Sequence, residues 1–237
     1  MVWGGVALCY DYPRARAVAK GAGDDQACRP GKPWALAKTA LPLGVNGLLA
    51  GLQGQIPRYA IGATLGVAAL GQFTVAAYAI QAVTKFVMAL GQALMTRLAQ
   101  FVEDRNVTAI RRVMMKMLGI SLTGGGATVI CAFFLGDWVM VAVFGPLYEN
   151  LGLLLTTCMG IATARACVLI LQAALFALRR FKEAAAVRFA MMLLSIGAVL
   201  VGVQLGGLIG VSIAVVLTSS LHALALWGLL QRYLRSI

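Results

Sequence analysis

The sequence predicts an all-α, polytopic membrane protein, and three observations carry that prediction. Hydrophobic residues make up 61% of the 237 positions, charged residues only 12%, and the mean hydropathy is +0.87. A soluble domain carries roughly 25% charged residues, and half that density cannot cover a water-facing surface, so the soluble-enzyme classes are excluded. The formal net charge of +12, from 20 Lys+Arg against 8 Asp+Glu, would suggest a nucleic-acid partner in a soluble chain. Here the basic residues alternate between connectors and mark membrane sidedness instead, which makes membrane lipid the implied partner and leaves no role for nucleic acid.

Taken in order, Met1 to Tyr10 is apolar but too short to span and has no basic start, so it reads as the end of a preceding helix rather than a signal peptide. Asp11 to Lys38, rich in Gly, Pro and charge, reads as a cytoplasmic linker, giving a first segment over 1–39. A bilayer core about 30 Å thick needs about 20 helical residues. Six apolar stretches meet that requirement approximately: Ala40–Ala63, Gly66–Thr96, Val113–Leu135, Leu151–Phe176, Phe189–Gln204 and Gly206–Leu230. They predict a six-helix transmembrane bundle over 40–230, followed by a tail over 231–237. Gly124, Gly125 and Gly126 in the third stretch remove side-chain support from one turn and are a hinge candidate. Small-residue spacings such as Gly47/Gly51, Gly62/Gly66 and Gly206/Gly210 would let helices approach closely.

Basic residues sort by connector. Arg14, Arg16, Lys20, Arg29, Lys32 and Lys38 precede the first stretch; Arg97, Arg105, Arg111, Arg112 and Lys116 follow the second. Arg179, Arg180, Lys182 and Arg188 follow the fourth, and Arg232 and Arg235 lie in the tail. Seventeen of the twenty therefore fall on one side, which the positive-inside rule makes the cytoplasm, with both termini there. The opposite connectors hold Arg58, Asp137 and Glu149. Trp34, Trp138 and Trp227 fall near the expected interfaces.

Soluble-enzyme motifs fail on context. Gly31-Lys32 is followed by Pro33 and lacks the upstream glycine of a phosphate loop, and Gly21-Ala22-Gly23 follows no strand. Cys9, Cys28, Cys131, Cys158 and Cys167 form no C-x-x-C pair and read as packing residues. His222 is the only histidine and has no nearby ligand in sequence, so it reads as a buried, hydrogen-bonded side chain rather than a metal ligand. No nucleophile, base and orienter come together, so no catalytic residue, metal or cofactor is expected.

Polar residues recur on helix faces. Thr74, Tyr78, Gln81, Lys85 and Gln92 follow spacings that keep them on one face of the second helix. Thr39, Asn46 and Gln53 recur every seven residues in the first, and Cys158, Arg165 and Gln172 do the same in the fourth. Three such faces predict a hydrated cavity lined by Asn46, Gln53, Tyr78, Gln81, Lys85, Gln92 and Arg165, with hydrogen bonding in a dry bundle as the alternative. Lys85 and Arg165 weigh against the dry bundle, because each sits mid-span, where a charge costs about 2.5–3.5 kcal/mol on insertion scales.

The stretch LPLGVNGLLAGLQGQIPRYAIGATLG from Leu41 to Gly66, LGQFTVAAY from Leu70 to Tyr78 and ALGQALMTRLAQ from Ala89 to Gln100 resembles bacterial polysaccharide biosynthesis membrane proteins. These are Wzx-type flippases of the MATE-like (MOP) transporter superfamily. The most specific part is Ile56-Pro57-Arg58-Tyr59 with the spaced Gly66 and Gly71, and FGPLYEN from Phe144 to Asn150 is similar to a family loop. The resemblance implies one bundle of a two-bundle transporter, equivalent to its C-terminal half, in the bacterial plasma (inner) membrane. It implies as substrate a polyprenyl-pyrophosphate-linked glycan, moved to the outer leaflet for polysaccharide assembly, and as partner a missing N-terminal bundle or a second copy. Moving two negative charges outward down a potential of 100 mV, inside negative, releases about 4.6 kcal/mol at about 2.3 per charge.

Two other classes compete. A drug or cation antiporter of the same fold needs carboxylates inside the membrane, and none of the eight Asp or Glu falls within an expected span. A membrane-embedded glycosyl or acyl transferase needs a loop with acid and base groups, and the outer loops offer only Asp137 and Glu149.

Overall fold

The computed structural model describes residues 33–78, 80–81, 84–85, 107–146, 149, 151–178 and 180–235. The expected helix end over Met1–Tyr10, the linker up to Lys32, the whole of Ala89–Gln100 with Gln92, and part of the FGPLYEN loop lie outside them. The chain divides into two units, Met1–Leu41 and Pro42–Ile237, and the packing below is that of the second. Among the described residues the structure is helical with no strand: α1 Pro33–Thr64, α2 Gly66–Tyr78, α3 Val107–Phe144, α4 Gly152–Ala177 and α5 Phe181–Arg235. Backbone at Ile80, Gln81, Thr84 and Lys85 is helical as well.

Three of these helices, α3, α4 and α5, are long and apolar enough to cross a membrane. The protein is thus a helical membrane protein by length and composition. Outward-facing Ile120, Phe133, Phe134 and Trp138 on α3, with Leu193, Leu200 and Leu217 on α5, are exposed; in a bilayer that surface meets lipid, where exposure of apolar side chains costs nothing.

Helix α5 is a hairpin rather than one rod. Backbone angles leave the helical region at Gly206 and Gly207, and Gly207 has φ 54°, a left-handed conformation that glycine adopts without a Cβ penalty. Four contacts across the turn prove the reversal. The Gly202 and Gly210 backbones lie against each other, Ala184 shares a core cluster with Leu226 and Leu230, Tyr233 Oη donates to Glu183 Oε1 at 3.2 Å, and the Arg180 guanidinium stands 4.4 Å from the centre of the Tyr233 ring. A straight helix would hold Glu183 and Tyr233 roughly 75 Å apart. The arms, 181–205 and 208–235, measure roughly 37 and 42 Å at 1.5 Å per residue, so each can cross a bilayer core. The sequence reading likewise ended one stretch at Gln204 and began the next at Gly206.

Helix α4 is the centre of the bundle, buried from Leu154 to Leu175 on most sides. At one end Ile61, Phe73, Ala76, Ile80, Leu154, Ile161, Val199, Val203, Val211 and Val215 form a core, beside the turns at Gly66 and Gly206-Gly207. At the other end Met114, Leu171, Leu175, Ala184, Leu226 and Leu230 form a second. The exposed basic residues Arg111, Arg112, Lys116, Arg180, Lys182 and Arg232 border this second core, so antiparallel packing gathers them at one end of the bundle.

Helix α3 runs on to Phe144, past the expected end at Leu135, and it passes Gly124–Gly126 without interruption. The glycine triplet is a packing site in this structure: a Cβ at Gly125 would run into the Thr163 side chain of α4. Asp137 is no loop residue either. Its Oδ1 accepts from Gly152 N at 2.7 Å, which caps the first turn of α4 where Leu151 offers no side-chain acceptor. A close crossing makes this reach possible, since a Cβ on Gly136 would lie 2.9 Å from Gly152 Cα. Asp137→Ala should therefore lower unfolding stability by about 1–2 kcal/mol, and Asp137→Asn by less, read as the thermal midpoint of the purified protein.

Candidate functional site

Helix α1 carries Pro42 and Pro57 within its length. Proline has no N–H, so Pro57 leaves the Gln53 carbonyl without its helical donor, a defect that membrane helices tolerate where protein or a polar cavity takes up the freed group. Gly54 adds open space, having nothing within 4 Å of its missing side chain. Helix α2 brings Phe73 and Ala77 against this part of α1, and α4 brings Ile161 and Arg165. The result is a pocket of about 50 Å³ lined by Gly54, Pro57, Arg58, Ala77, Gln81 and Arg165, with Phe73, Ile80, Ile161 and Val215 as its apolar walls. A site of that size holds one or two waters or a small polar group; it is too small for a sugar chain.

Its charge is one-sided. Two guanidiniums and one amide line it, and no carboxylate stands among the described lining residues. Arg58 Nη1 donates a long 3.4 Å bond to Gln55 Oε1, which leaves most of its donors available. Guanidinium is donor-only and matches the oxygens of phosphate or carboxylate in a bidentate way, so by its chemistry this lining suits an anion better than a cation.

The expected site residues divide into three groups. Arg165 and Gln81, named from helix-face spacing, and Pro57 and Arg58, named from the motif, come together at this pocket. Tyr59, Tyr78 and Lys85 are exposed and Gln53 is half-buried, and none of the four lines it. Tyr78, Gln81 and Lys85 form an exposed polar face that no described helix of this bundle covers. Asn46 is buried, and its Oδ1 accepts from Gln172 Nε2 at 2.7 Å, so it belongs to a separate polar cluster about 10 Å along α4, seven residues from Arg165.

That cluster contains a residue the sequence reading placed elsewhere. Arg188 was expected in a connector; it is buried, and its Nη2 donates to Gln172 Oε1. His222 is buried as expected, but its Nε2 has no hydrogen-bond partner. A signal for Arg188 exists in the sequence: Ala184, Arg188, Ser195, Val199 and Gly202 share one helix face, and all five are buried. Cys158 and Cys167 are buried while Cys131 is exposed, and no group of metal-binding side chains occurs among the described residues.

No family model, curated protein or solved structure matches the chain.

Proposed function

We propose that this chain is one six-helix bundle of a transporter that moves lipid-linked oligosaccharide across the bacterial inner membrane, with both termini in the cytoplasm. The observation that supports it is the pocket where Pro57 and Arg58, from the motif behind the resemblance, meet Arg165 and Gln81. An anionic diphosphate fits two guanidiniums better than a cation does, because a buried like charge raises the energy of the bound state while an opposite one offsets desolvation. The exposed face of Tyr78, Gln81 and Lys85 fits a cavity completed by another bundle, since polar side chains facing lipid would cost several kcal/mol.

In this mechanism the diphosphate head sits at the mouth of the pocket with oxygens of one phosphate reaching between Arg58 and Arg165, the glycan occupies the wider space beside the exposed polar face, and the polyprenyl tail stays in lipid. Alternating closure of the two bundles then carries the head across. Binding of a fluorescent polyprenyl diphosphate saccharide to the purified protein tests the reading. Saturable binding that survives an excess of phosphatidylglycerol and of a lipophilic cation is the expected result. Displacement by the lipophilic cation, or binding no tighter than phosphatidylglycerol, would overturn it and favour an antiporter.

A further inference from the structure

The Asn46–Gln172–Arg188 chain has a fixed polarity. Arginine can only donate, so the Gln172 oxygen must accept from Arg188 Nη2. The Gln172 amide nitrogen must then donate, and the Asn46 oxygen must accept it. This assignment needs no choice about amide orientation, because the arginine end dictates it. A donor is left over at each end of the chain: Asn46 Nδ2 and Arg188 Nε are both buried without a partner. His222 Nε2 on the second arm of α5 is buried without one too. Asn46, Arg188 and His222 are exposed by only 2%, 6% and 3%. Among the described residues no carboxylate pairs with Arg188; the ion pair they contain is Arg180–Glu183. Among the described residues, then, this buried guanidinium has a spare donor and no acceptor that carries charge.

We infer that Asn46, Gln172 and Arg188 form a binding site for one compact monoanion, such as chloride or acetate, at the basic end of the bundle and separate from the Arg165 pocket. Gln172 is the positioning residue, since it orients both the guanidinium fork and the Asn46 amide. The inference does not rest on the transport reading.

The test is the thermal midpoint of the purified full chain carrying Cys9→Ser, Cys28→Ser and Cys131→Ser, followed with a thiol-reactive dye that reaches buried Cys158 and Cys167 only on unfolding. Chloride or acetate is titrated against bulky gluconate at constant ionic strength. A ligand that binds only the folded state raises the midpoint saturably, and that is the expected result for the native chain and for Arg165→Gln. Arg188→Leu should lose the response or need at least about tenfold more anion. Asn46→Asp keeps the acceptor for Gln172 and supplies the missing negative charge, so it should raise the midpoint in gluconate and flatten the titration. No anion-specific rise in the native chain, or a full response in Arg188→Leu, overturns the site. Should Arg188→Leu yield no folded protein, Asn46→Asp decides: a lower midpoint in gluconate with an intact chloride response overturns it equally.

Discussion

Valine at Gly202 or Gly210 is expected to lower stability by about 3 kcal/mol and to leave little folded protein after extraction from the membrane. A Cβ on Gly202 would stand 2.6 Å from the Gly210 carbonyl oxygen, 3.0 Å from its carbon and 3.1 Å from Ala214 Cβ. The obstacle is backbone, which has no rotamer to change, so the arms of α5 must separate. Separation is costly because the Gly202·Gly210 contact stands next to Val203 and Val211 of the core that also holds Val199, Val215, Leu154 and Ile161. Opening the hairpin there would withdraw those side chains from α4. Gly197→Val in the same arm is the control: nothing lies within 4 Å of its missing side chain, and the change should cost less than about 1 kcal/mol. Equal thermal midpoints for Gly197→Val and Gly202→Val would show that the close approach of the arms contributes nothing to stability.

The outline of the fold could be read from hydropathy because a span needs an apolar run of fixed length, and that rule needs no knowledge of neighbours. It worked at Gly206, where two glycines separate two apolar runs and the backbone turns. It failed at Asp137. A charge in an apolar sequence reads as the end of a span, yet α3 continues through it to Phe144, because Gly152 N supplies the hydrogen bond that the carboxylate needs. That donor lies on another helix, and nothing local announces it.

The site was legible to the same degree and for the same reason. Seven-residue spacing put Cys158, Arg165 and Gln172 on one face of α4, but periodicity cannot say what each meets. Cys158 meets the apolar core, Arg165 the pocket and Gln172 the Asn46–Arg188 chain. Arg188 follows Lys182 by six positions and was assigned to the basic connector. A long side chain near a helix end can reach water, whereas this one is buried with its Nη2 on Gln172 Oε1, sixteen residues back in the chain.

Glutamine in place of both Arg58 and Arg165 should reduce binding of the polyprenyl diphosphate saccharide, and transport by the assembled protein, by about a hundredfold or more. Hydrogen bonds to a charged group contribute about 1.5–3 kcal/mol each, which is about tenfold to a hundredfold per residue. The amount of protein in the membrane should not fall, because no carboxylate stands among the described lining residues to be orphaned, and removal of a charge from mid-span relieves an insertion cost of about 2.5–3.5 kcal/mol. A carboxylate contributed by a second bundle makes the opposite forecast: an uncompensated buried acid would destabilise the assembly by about 3–5 kcal/mol and lower its level. Lys85→Gln separates the pocket from charge in general, since Lys85 is exposed and does not line the pocket; it should weaken binding by less than about tenfold, the value of a surface charge near a bound anion. Unchanged binding in the Arg58→Gln, Arg165→Gln double variant would remove the pocket from any account of what this protein carries.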